Sequence, residues 1–388
     1  MKKVILRGPV LTQSGYGVHA RQVAKWLLQK ENVDVRFNAL PWGETPWHIN
    51  PDSLDGLIGK IMERTVESDP NEKYDVSIQL QLPNEWNPSL AKENVGMTAG
   101  VETDKCNPRW IDCINKMQRL IVPSTHVKKC FDATGKINIP CEVIPESYPD
   151  TWKESIETTI LDSELSTDFN FLILGQITGN NAFNDRKNTF FMIKWICETF
   201  KDDKNVGIVI KTNIGRNTKL DRKNVILLMN QLIAECRRGP YPKIHLLHGE
   251  MSDNEIYSLY NNKKIKALVA ATRGEGYGLP ILEAAVCGIP VIATGWSGHM
   301  DFMSKGKFIN LDYTLEDVHT SRMDGNIFTN GMKWASPSED DFKKKIYKFR
   351  HSNSIPGEWA NSLSQILKKD YSFEKICEAY DASLGDII

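Results

Sequence analysis

The sequence predicts an α/β protein with two doubly wound parallel sheets, and three observations favour this class. Short apolar runs alternate with amphipathic segments of helical period, a pattern typical of parallel strands covered by helices. A polar stretch at 147–168 interrupts the alternation, which then restarts. The 388 residues suffice for two domains of ordinary size. We therefore expect domains at residues 1–150 and 169–370, joined by a linker at 151–168.

The first domain contains five apolar runs that predict strands, at residues 3–8, 33–40, 76–82, 94–100 and 119–124. Amphipathic segments between them predict helices at 18–30 and 108–117. Another helix is expected to begin near Ser124 and to end at Gly135, a residue type suited to helix ends. Together these elements predict one open sheet that is complete by about residue 145.

The second domain repeats the pattern, with predicted strands at residues 169–175, 205–211, 243–249, 265–271 and 289–295. The segment SDNE at 252–255 has the spacing of a capping box, so we expect a helix from there through Tyr260. A last helix, at roughly 372–384, follows the second sheet. We expect residues 371–388 to pack across the domain junction.

Composition and charge exclude several classes of protein. The formal net charge is −1 at pH 7 and both halves are near neutral, so no global basic field attracts nucleic acid or anionic lipid. The eight cysteines are scattered without a C-x-x-C pair, which is typical of a reduced cytoplasmic protein. The first apolar run is too short for a signal peptide, and no apolar run reaches the length of a membrane span.

The stretch GEGYGLPILEAAVCG at 274–288 is the main candidate for a site. A predicted strand leads into it, its glycines let the backbone approach a ligand, and Pro280 suits the first turn of a helix. A helix N-terminus at the carboxyl edge of a parallel sheet favours phosphate. Glu275 and Glu283 flank this turn, and carboxylates accept hydrogen bonds from paired sugar hydroxyls. The alternative is that Glu283 only complements the helix dipole while Glu275 is solvated.

The longer string RGEGYGLPILEAAVCGIPVIAT at 273–294 resembles the donor-site motif of retaining glycosyltransferases of the GT-B fold. These enzymes form the large family, of the family 4 type, that is grouped with sucrose and glycogen synthases. The resemblance implies two Rossmann-like domains that face a cleft. It also implies that Glu275 contacts the donor sugar and that Glu283 contacts the nucleotide ribose. The backbone amides implied to bind the diphosphate are those of Gly276, Tyr277 and Gly278.

By the same resemblance, a glycine-rich loop after the first strand approaches the donor phosphate through Gly15 and Gly17, although many α/β folds begin with such a loop. Arg186 and Lys187, after the first strand of the second domain, would lie on the diphosphate. The alternative is an exposed basic helix start, but cations at a helix N-terminus are unfavourable without an anion. A second cationic candidate at this rim is Lys211.

The first domain departs from the family pattern at one position. Many relatives carry a histidine at the end of a first-domain strand, where it meets the donor sugar. The matching stretch here, GMTAGVETD at 96–104, has Glu102 and Asp104 and no histidine. Glu102 could act as a hydroxyl acceptor in its place, which makes it a catalytic candidate, or the alignment slips here. His299, after the last strand, is more typical of a structural or rim-lining residue than of a catalytic one.

The mechanism implied by the resemblance requires mainly electrostatic help from the protein. The attacking hydroxyl and the departing diphosphate share one face of the sugar, and the leaving phosphate oxygen takes the acceptor proton. Arg186, Lys187 and the loop amides would stabilise charge on the leaving diphosphate. We find no Asp-x-Asp or histidine cluster with metal spacing, so we expect neither a metal nor another cofactor. The nucleotide sugar, which we expect to be a UDP-sugar, is a substrate.

We expect the acceptor to bind the first domain, where loops carry Trp42, Trp47 and Trp86. Tryptophans in such loops can stack on sugars or bases, although they often only pack their own loop. The basic run at 105–129 is either a solvated face or a contact for phosphate on DNA or on a lipid-linked acceptor. A glycan or a similar hydroxyl-bearing molecule is the preferred acceptor.

Three alternative functions remain open. The string IKALVAATRGEGYGLP is similar to enzymes encoded by large bacteriophages, some of which glycosylate hydroxymethylated pyrimidines. A DNA base is therefore an alternative acceptor, in a host cytoplasm, although the neutral charge counts against it. A nucleotide-sugar epimerase would need an acid and a base, for which Glu102, Asp104 and His299 are candidates. A sugar-binding or scaffold protein would show no turnover. The sequence leaves the sugar and the oligomeric state open.

Overall fold

The chain divides into two compact units, each with its own parallel sheet. A computed structural model describes residues 1–67, 72–152, 165–179 and 181–388. Unit 1 comprises Met1–Ser147 with Phe373–Ile388, and unit 2 comprises Tyr148–Ser372. Each unit holds a six-stranded sheet whose neighbouring strands are all parallel, which confirms the predicted α/β class. Most of the predicted linker, at 153–164, lies outside the described residues.

The elements follow one another along the chain in the order of the two units. The strands are β1 Lys2–Gly8, β2 Val33–Ala39, β3 Tyr74–Leu80, β4 Ala91–Met97, β5 Arg119–Val122, β6 Cys141–Val143, β7 Phe169–Leu174, β8 Val206–Thr212, β9 Lys243–His248, β10 Ile265–Ala270, β11 Val291–Thr294, β12 Ile309–Leu311, β13 Tyr313–Asp317 and β14 Lys333–Pro337. The helices are α1 Gly15–Leu27, α2 Leu57–Glu63, α3 Pro108–Ile114, α4 Thr125–Thr134, α5 Thr189–Thr199, α6 Lys219–Cys236, α7 Asp253–Tyr260, α8 Leu279–Val286, α9 Met300–Met303, α10 Glu339–His351, α11 Ser354–Asp370 and α12 Phe373–Leu384.

The sheet of unit 1 has the strand order β2-β1-β3-β4-β5-β6. Consecutive side chains in the middle of β1, at residues 4–6, are all fully buried because both faces of the sheet are covered. The following helix, α1, begins at Gly15 rather than at the predicted residue 18. Its cap explains the earlier start, since the Ser14 hydroxyl accepts a hydrogen bond from the Gly17 N–H at 3.0 Å. Gly15 and Gly17 therefore lie in the first turn of a helix and not in a loop.

The last helix, α12, belongs to unit 1. Phe373, Ile376, Tyr380 and Leu384 follow helical spacing and are buried in the same core as the side chains of β1. Each large apolar side chain buried in this way contributes roughly 1.5–3 kcal/mol. The Tyr380 hydroxyl also lies 3.1 Å from Nε2 of the buried His19 on α1. The C-terminal helix therefore completes the hydrophobic core of the first unit.

The sheet of unit 2 has the strand order β12-β11-β10-β7-β8-β9, and β13 and β14 form a separate antiparallel hairpin. The capping box predicted at the start of α7 is present, since Ser252 Oγ accepts from the Glu255 N–H at 3.3 Å and Glu255 accepts from the Ser252 N–H at 2.7 Å. Because β7, β8 and β10 are parallel neighbours, the segments that follow them meet at one edge of the sheet. Among the described residues, no helix combines the length and the hydrophobicity that crossing a bilayer requires.

Candidate active site

The loop between β7 and α5 is organised around a buried carboxylate, Asp185. Its Oδ1 accepts hydrogen bonds from the backbone N–H of Thr178 at 3.1 Å and from the Thr178 hydroxyl at 2.8 Å. Its Oδ2 accepts from the Thr189 N–H, the first residue of α5, at 2.7 Å. Asp185 thus joins the beginning of the loop to the start of the helix. Sequence reasoning missed this residue, although an aspartate just before a helix start is a signal that could have found it.

Asp185 fixes the two residues that follow it, Arg186 and Lys187, against the turn after β10. Lys187 Nζ donates to both carboxylate oxygens of Glu275, at 2.7 and 2.9 Å. Arg186 Nη1 donates to Glu275 Oε2 at 3.3 Å and to the Gly274 carbonyl at 2.7 Å. The structure therefore brings three of the four predicted catalytic residues together in unit 2. They come from loops that follow two neighbouring strands.

The cluster of Glu275, Arg186 and Lys187 is largely withdrawn from solvent. Glu275 is only 6% exposed. Burial alone would raise the pKa of Glu275, but Lys187 and Arg186 outweigh burial and lower the pKa to about 2. Glu275 is therefore a carboxylate at neutral pH. Lys187 and Arg186 both contact this carboxylate, and both are cationic donors of the kind that bind phosphate.

The turn from Glu275 to Gly278 is hydrogen-bonded to the segment after β11. The Glu275 N–H donates to Ser297 Oγ at 2.9 Å, and the Gly298 N–H donates to the Glu275 carbonyl at 2.8 Å. A Cβ on Gly298 would lie 2.1 Å from the Gly276 carbonyl oxygen, so no side chain fits there. Gly278 has φ +104°, a conformation that favours glycine, and it directly precedes α8.

Two amides at the start of α8 are available to an anion. Within the described part of the chain, the N–H groups of Gly278 and Leu279 donate to no protein atom. Unpaired N–H groups at a helix N-terminus bind anions because they point outward along the helix dipole. Tyr277, whose amide was also predicted to bind phosphate, packs its buried ring against Phe302 with centroids 5.4 Å apart.

His299 lies beside this turn and is fully buried. Its Nε2 lies 2.7 Å from the Thr294 carbonyl oxygen, which can only accept, so Nε2 carries the proton. Burial lowers the pKa of His299, and the imidazole is therefore neutral. This environment fits the structural role that the sequence favoured for His299.

Glu283 occupies a different environment from Glu275. It is partly buried on α8, and the Tyr260 hydroxyl donates to its Oε2 at 3.2 Å. Burial and the nearby charge of Asp253 raise the pKa of Glu283 to about 8. No described hydrogen bond or ion pair joins it to Arg186 or Lys187. The structure thus places this predicted ribose ligand toward α7.

Lys211 lies at the same sheet edge, near the end of β8. The residue as a whole is only 6% exposed. Its ammonium group donates to Asn213 Oδ1 at 2.8 Å and to the Gly249 carbonyl at 2.7 Å. Burial lowers the pKa of Lys211 to about 8, although Glu250 and Glu255 oppose this effect. Lys211 is therefore a buried cation held by neutral oxygens.

The three predicted acceptor tryptophans have unequal environments in unit 1. The Trp42 ring stacks on Tyr16, with centroids 3.8 Å apart and planes at 17°. Trp47 is 38% exposed and pairs through its backbone with Thr12. Trp86 is buried, and a Cβ on Gly96 would lie 2.5 Å from its ring. The burial of Trp86 favours the alternative in which a tryptophan packs its own loop.

Three further candidates also belong to unit 1. Glu102 is partly buried in the loop after β4, where its charge acts on the Tyr16 hydroxyl. A Cβ on Gly17 would lie 2.1 Å from the Thr12 carbonyl oxygen, whereas Gly15 faces open space.

Across the described residues, no group of three or more His, Cys, Asp or Glu side chains is arranged to hold a metal ion.

Comparison with known proteins connects this geometry to one group of proteins. Residues 230–318 match the family model described as Glycosyl transferases group 1, a range that includes the turn after β10 and both glutamates. A probable sucrose-phosphate synthase from Thermosipho melanesiensis is 26% identical over 196 residues, which make up 50% of this chain and 42% of that protein. The match therefore spans less than half the length of this relative.

Several solved structures, among them the following two, resemble the chain over its whole length. HepE from Anabaena, in complex with UDP-glucose, superimposes with a TM-score of 0.66 at 12% identity and covers 100% of both chains. Sucrose-phosphate synthase from Thermosynechococcus elongatus gives 0.61 at 12% identity, over 100% of this chain and 99% of the other. The fold is GT-B. At these identities the likeness establishes the fold alone, and it confirms the two Rossmann-like domains predicted from the sequence.

Proposed function

We propose that the chain is a glycosyltransferase that moves a sugar from a UDP-sugar to an acceptor hydroxyl, with retention of configuration at the sugar. The observation that carries this proposal is the buried cluster in which Lys187 and Arg186 grip Glu275 beside the free amides of α8. It supplies cations, N–H donors and a carboxylate at one edge of a parallel sheet. A nucleotide sugar presents the matching groups, a diphosphate and paired hydroxyls.

The diphosphate is proposed to bind between the cations and the amides of Gly278 and Leu279. Lys187 and Arg186 are cationic donors, and charge-assisted hydrogen bonds from such groups to phosphate are stronger than neutral ones. The same groups stabilise the negative charge that grows on the leaving diphosphate during transfer. UDP is the proposed nucleotide because HepE, which shares the fold, is described in complex with UDP-glucose.

Glu275 is proposed to accept hydrogen bonds from donor-sugar hydroxyls. Its pKa of about 2 keeps it ionised through the physiological range, as this role requires. Its present partners are Lys187 and Arg186, and both could turn part of their hydrogen bonding to the diphosphate when the donor binds. In this arrangement Glu275 and the leaving diphosphate share the hydrogen bonds of Lys187 and Arg186.

The proposed reaction retains the configuration of the sugar. The acceptor oxygen attacks the anomeric carbon from the face that the diphosphate leaves, the bond from that carbon to the phosphate oxygen breaks, and this oxygen takes the acceptor proton. We propose that Lys187, Arg186 and the α8 amides stabilise the leaving group without a metal ion. The proposed acceptor is a glycan or another hydroxyl-bearing molecule, with Trp42 and Glu102 of unit 1 as candidate contacts.

A thermal-shift series tests donor binding. UDP and UDP-sugars should raise the melting temperature more than other nucleotide diphosphates, since a ligand that binds only the folded state stabilises it. Lys187→Ala should abolish most of the shift, because a charge-assisted hydrogen bond contributes about 1.5–3 kcal/mol. Lys194→Ala is the matched control, since this lysine lies further along α5 and its ion pair, among the described residues, is the 3.9 Å contact with the partly exposed Glu198. Equal UDP shifts in the two variants would contradict the proposed diphosphate site.

Product analysis tests the reaction itself. A panel of glycans and hydroxymethylated DNA, supplied with the UDP-sugar that binds best, should yield a glycosylated product whose anomeric configuration matches the donor. Inversion would overturn the retaining mechanism. Isomerisation of the nucleotide sugar without any acceptor would instead identify an epimerase. Binding of the donor without turnover on the panel would favour the sugar-binding alternative.

A further inference from the structure

Ser297, in the segment between β11 and α9, has a strained backbone. Its φ is +89°, outside the range of roughly +50° to +70° in which non-glycine residues with positive φ are usually found. The other described non-glycine residues with positive φ, which include Asn188 and Asn217, have values from +54° to +60°. Strain of this kind persists only where the surrounding structure enforces it, and it concentrates at functional sites. Ser297 is therefore a candidate for a functional role.

Hydrogen bonds on both sides of Ser297 enforce this conformation. Thr294 Oγ1 donates to the Thr272 carbonyl at 2.7 Å, which joins the end of β11 to the segment after β10. His299 Nε2 donates to the Thr294 carbonyl at 2.7 Å and so closes the loop from 294 to 299. His299 and Thr294 are both fully buried. A change of Ser297 to negative φ would disturb these buried hydrogen bonds.

The strained conformation allows Ser297 and its neighbour to bind both sides of the Glu275 backbone. Ser297 Oγ accepts from the Glu275 N–H at 2.9 Å, and the Gly298 N–H donates to the Glu275 carbonyl at 2.8 Å. Ser297 is only 5% exposed, so water has little access to this hydroxyl. A glycine would adopt the same φ without strain, as Gly278 does at +104° in the facing turn. Serine keeps a hydrogen bond to Glu275 that glycine would lack.

Glu275 is thus held at both ends. Ser297 holds its backbone, while Lys187 and Arg186 hold its carboxylate. Fixing the backbone and the carboxylate together restricts the direction in which the carboxylate oxygens point. This direction matters because hydrogen bonds weaken steeply when their angles deviate, and a misplacement of about 1 Å can slow a reaction about 100-fold.

We propose that Ser297 is a positioning residue for recognition of the donor sugar, and that its hydroxyl and its strained backbone hold Glu275 toward the sugar hydroxyls. The inference rests on the proposed function, in which Glu275 accepts hydrogen bonds from the sugar while Lys187 and Arg186 bind the diphosphate. Ser297 acts through Glu275. Its loss should therefore weaken binding of the nucleotide sugar more than binding of the nucleotide alone.

Isothermal titration calorimetry with UDP and with UDP-glucose tests this difference, and a UDP-sugar that the unaltered protein binds more tightly would replace UDP-glucose. In Ser297→Ala and Ser297→Gly, the affinity for the UDP-sugar should fall about tenfold, as expected for a misdirected hydrogen-bond acceptor. The affinity for UDP should fall less than about twofold. Ser297→Gly also relieves the strain, so its melting temperature should exceed that of Ser297→Ala. A role in folding alone would leave both affinities unchanged.

Asn217→Gly is the matched control, because it relieves a positive φ of +60° elsewhere in unit 2. Both of its affinities should stay close to those of the unaltered protein. Equal losses for UDP and the UDP-sugar in the Ser297 variants, or no loss for either, would overturn the inference, although binding by the unaltered protein would still support the proposed function. If the unaltered protein bound neither nucleotide, the proposed function would fail and the inference would fail with it.

Discussion

The sheets of the two units carry different chemistry at their carboxyl edges. In unit 2 this edge concentrates charge, with Glu275 within 3.3 Å of both Arg186 and Lys187. In unit 1 it carries aromatic and hydroxyl groups, where Tyr16 stacks on Trp42 and its hydroxyl lies 2.9 Å from Thr98 Oγ1. Both sheets are six-stranded and parallel. The same scaffold therefore carries different sites, because the loops and not the sheets determine the chemistry.

Removing the carboxylate of Glu275 should have the largest effect on the difference between the two sheet edges, because it removes the negative charge of the unit 2 cluster. In Glu275→Gln, Lys187 and Arg186 lose their counter-charge in a buried place, so the free energy of unfolding should fall by about 3 kcal/mol. Transfer to the acceptor should fall about 100-fold or more, since the pre-organised charges at the leaving group are disturbed. Initial rates at a temperature well below the melting point of the variant measure this effect.

Glu316→Gln is the matched control for that experiment, because Glu316 is an exposed glutamate of the same unit on β13. Its rates and melting temperature should stay close to those of the unaltered protein. If Glu275→Gln retained full transfer activity, the charged edge of unit 2 would not be the reaction site.

Two tryptophans of unit 1 sharpen the comparison from the aromatic side. Trp86→Ala should lower the free energy of unfolding by about 3–5 kcal/mol, because the buried ring packs against Gly96. Trp42→Ala should cost less stability but should raise the KM for the acceptor about tenfold, as expected for the loss of one stacking surface. Chemical denaturation and acceptor titrations separate the two effects. A UDP-induced melting shift that fell in Trp42→Ala would contradict a role restricted to the acceptor.

The elements of the fold were predictable from the sequence because their signals are local. The strand predicted at 265–271 is observed as β10, and the SDNE capping box opens α7 as expected. The β13–β14 hairpin was not predicted, since most of β13 is exposed and has no apolar alternation to read. The helix end at Gly135 was predicted, but glycine is favoured there because a side chain would be crowded, and not because the backbone is left-handed. Its backbone is extended, and a Cβ would lie 3.1 Å from Ile111.

The site was only partly predictable because its contacts join distant parts of the chain. Glu275 stood out within its glycine-rich string, but its pairing with Lys187 depends on β7 and β10 being neighbours. The sequence does not state that order.

Asp185 provides a test of how the charged edge is held in place. Asp185→Asn removes one acceptor from an oxygen pair that satisfies Thr178 and Thr189, so the free energy of unfolding should fall by about 1–3 kcal/mol. Because Arg186 and Lys187 follow directly, the UDP-induced melting shift should also shrink. Asp202→Asn, in an exposed turn of the same unit, should leave both quantities unchanged. If the free energy of unfolding fell while the UDP-induced melting shift stayed the same, Asp185 would contribute to folding alone.

Within any one pH unit Glu283 should give the smallest effect, and the sign of its pH dependence distinguishes it from Glu275. Burial raises its folded pKa to about 8, above the ordinary value of 4.5, so the folded state holds a proton that the unfolded chain releases. The free energy of unfolding should therefore fall as pH rises toward 8, by at most about 1.4 kcal/mol per pH unit. The range from pH 6.5 to 8 isolates this effect, because burial lowers the pKa of His19 and His299 and their contributions lie below it. Denaturant titrations of Glu283→Gln should lose the slope in that range. If the variant and the unaltered protein had equal slopes, Glu283 would be ionised in the folded state. It would then be a second carboxylate, after Glu275, at the charged sheet edge of unit 2.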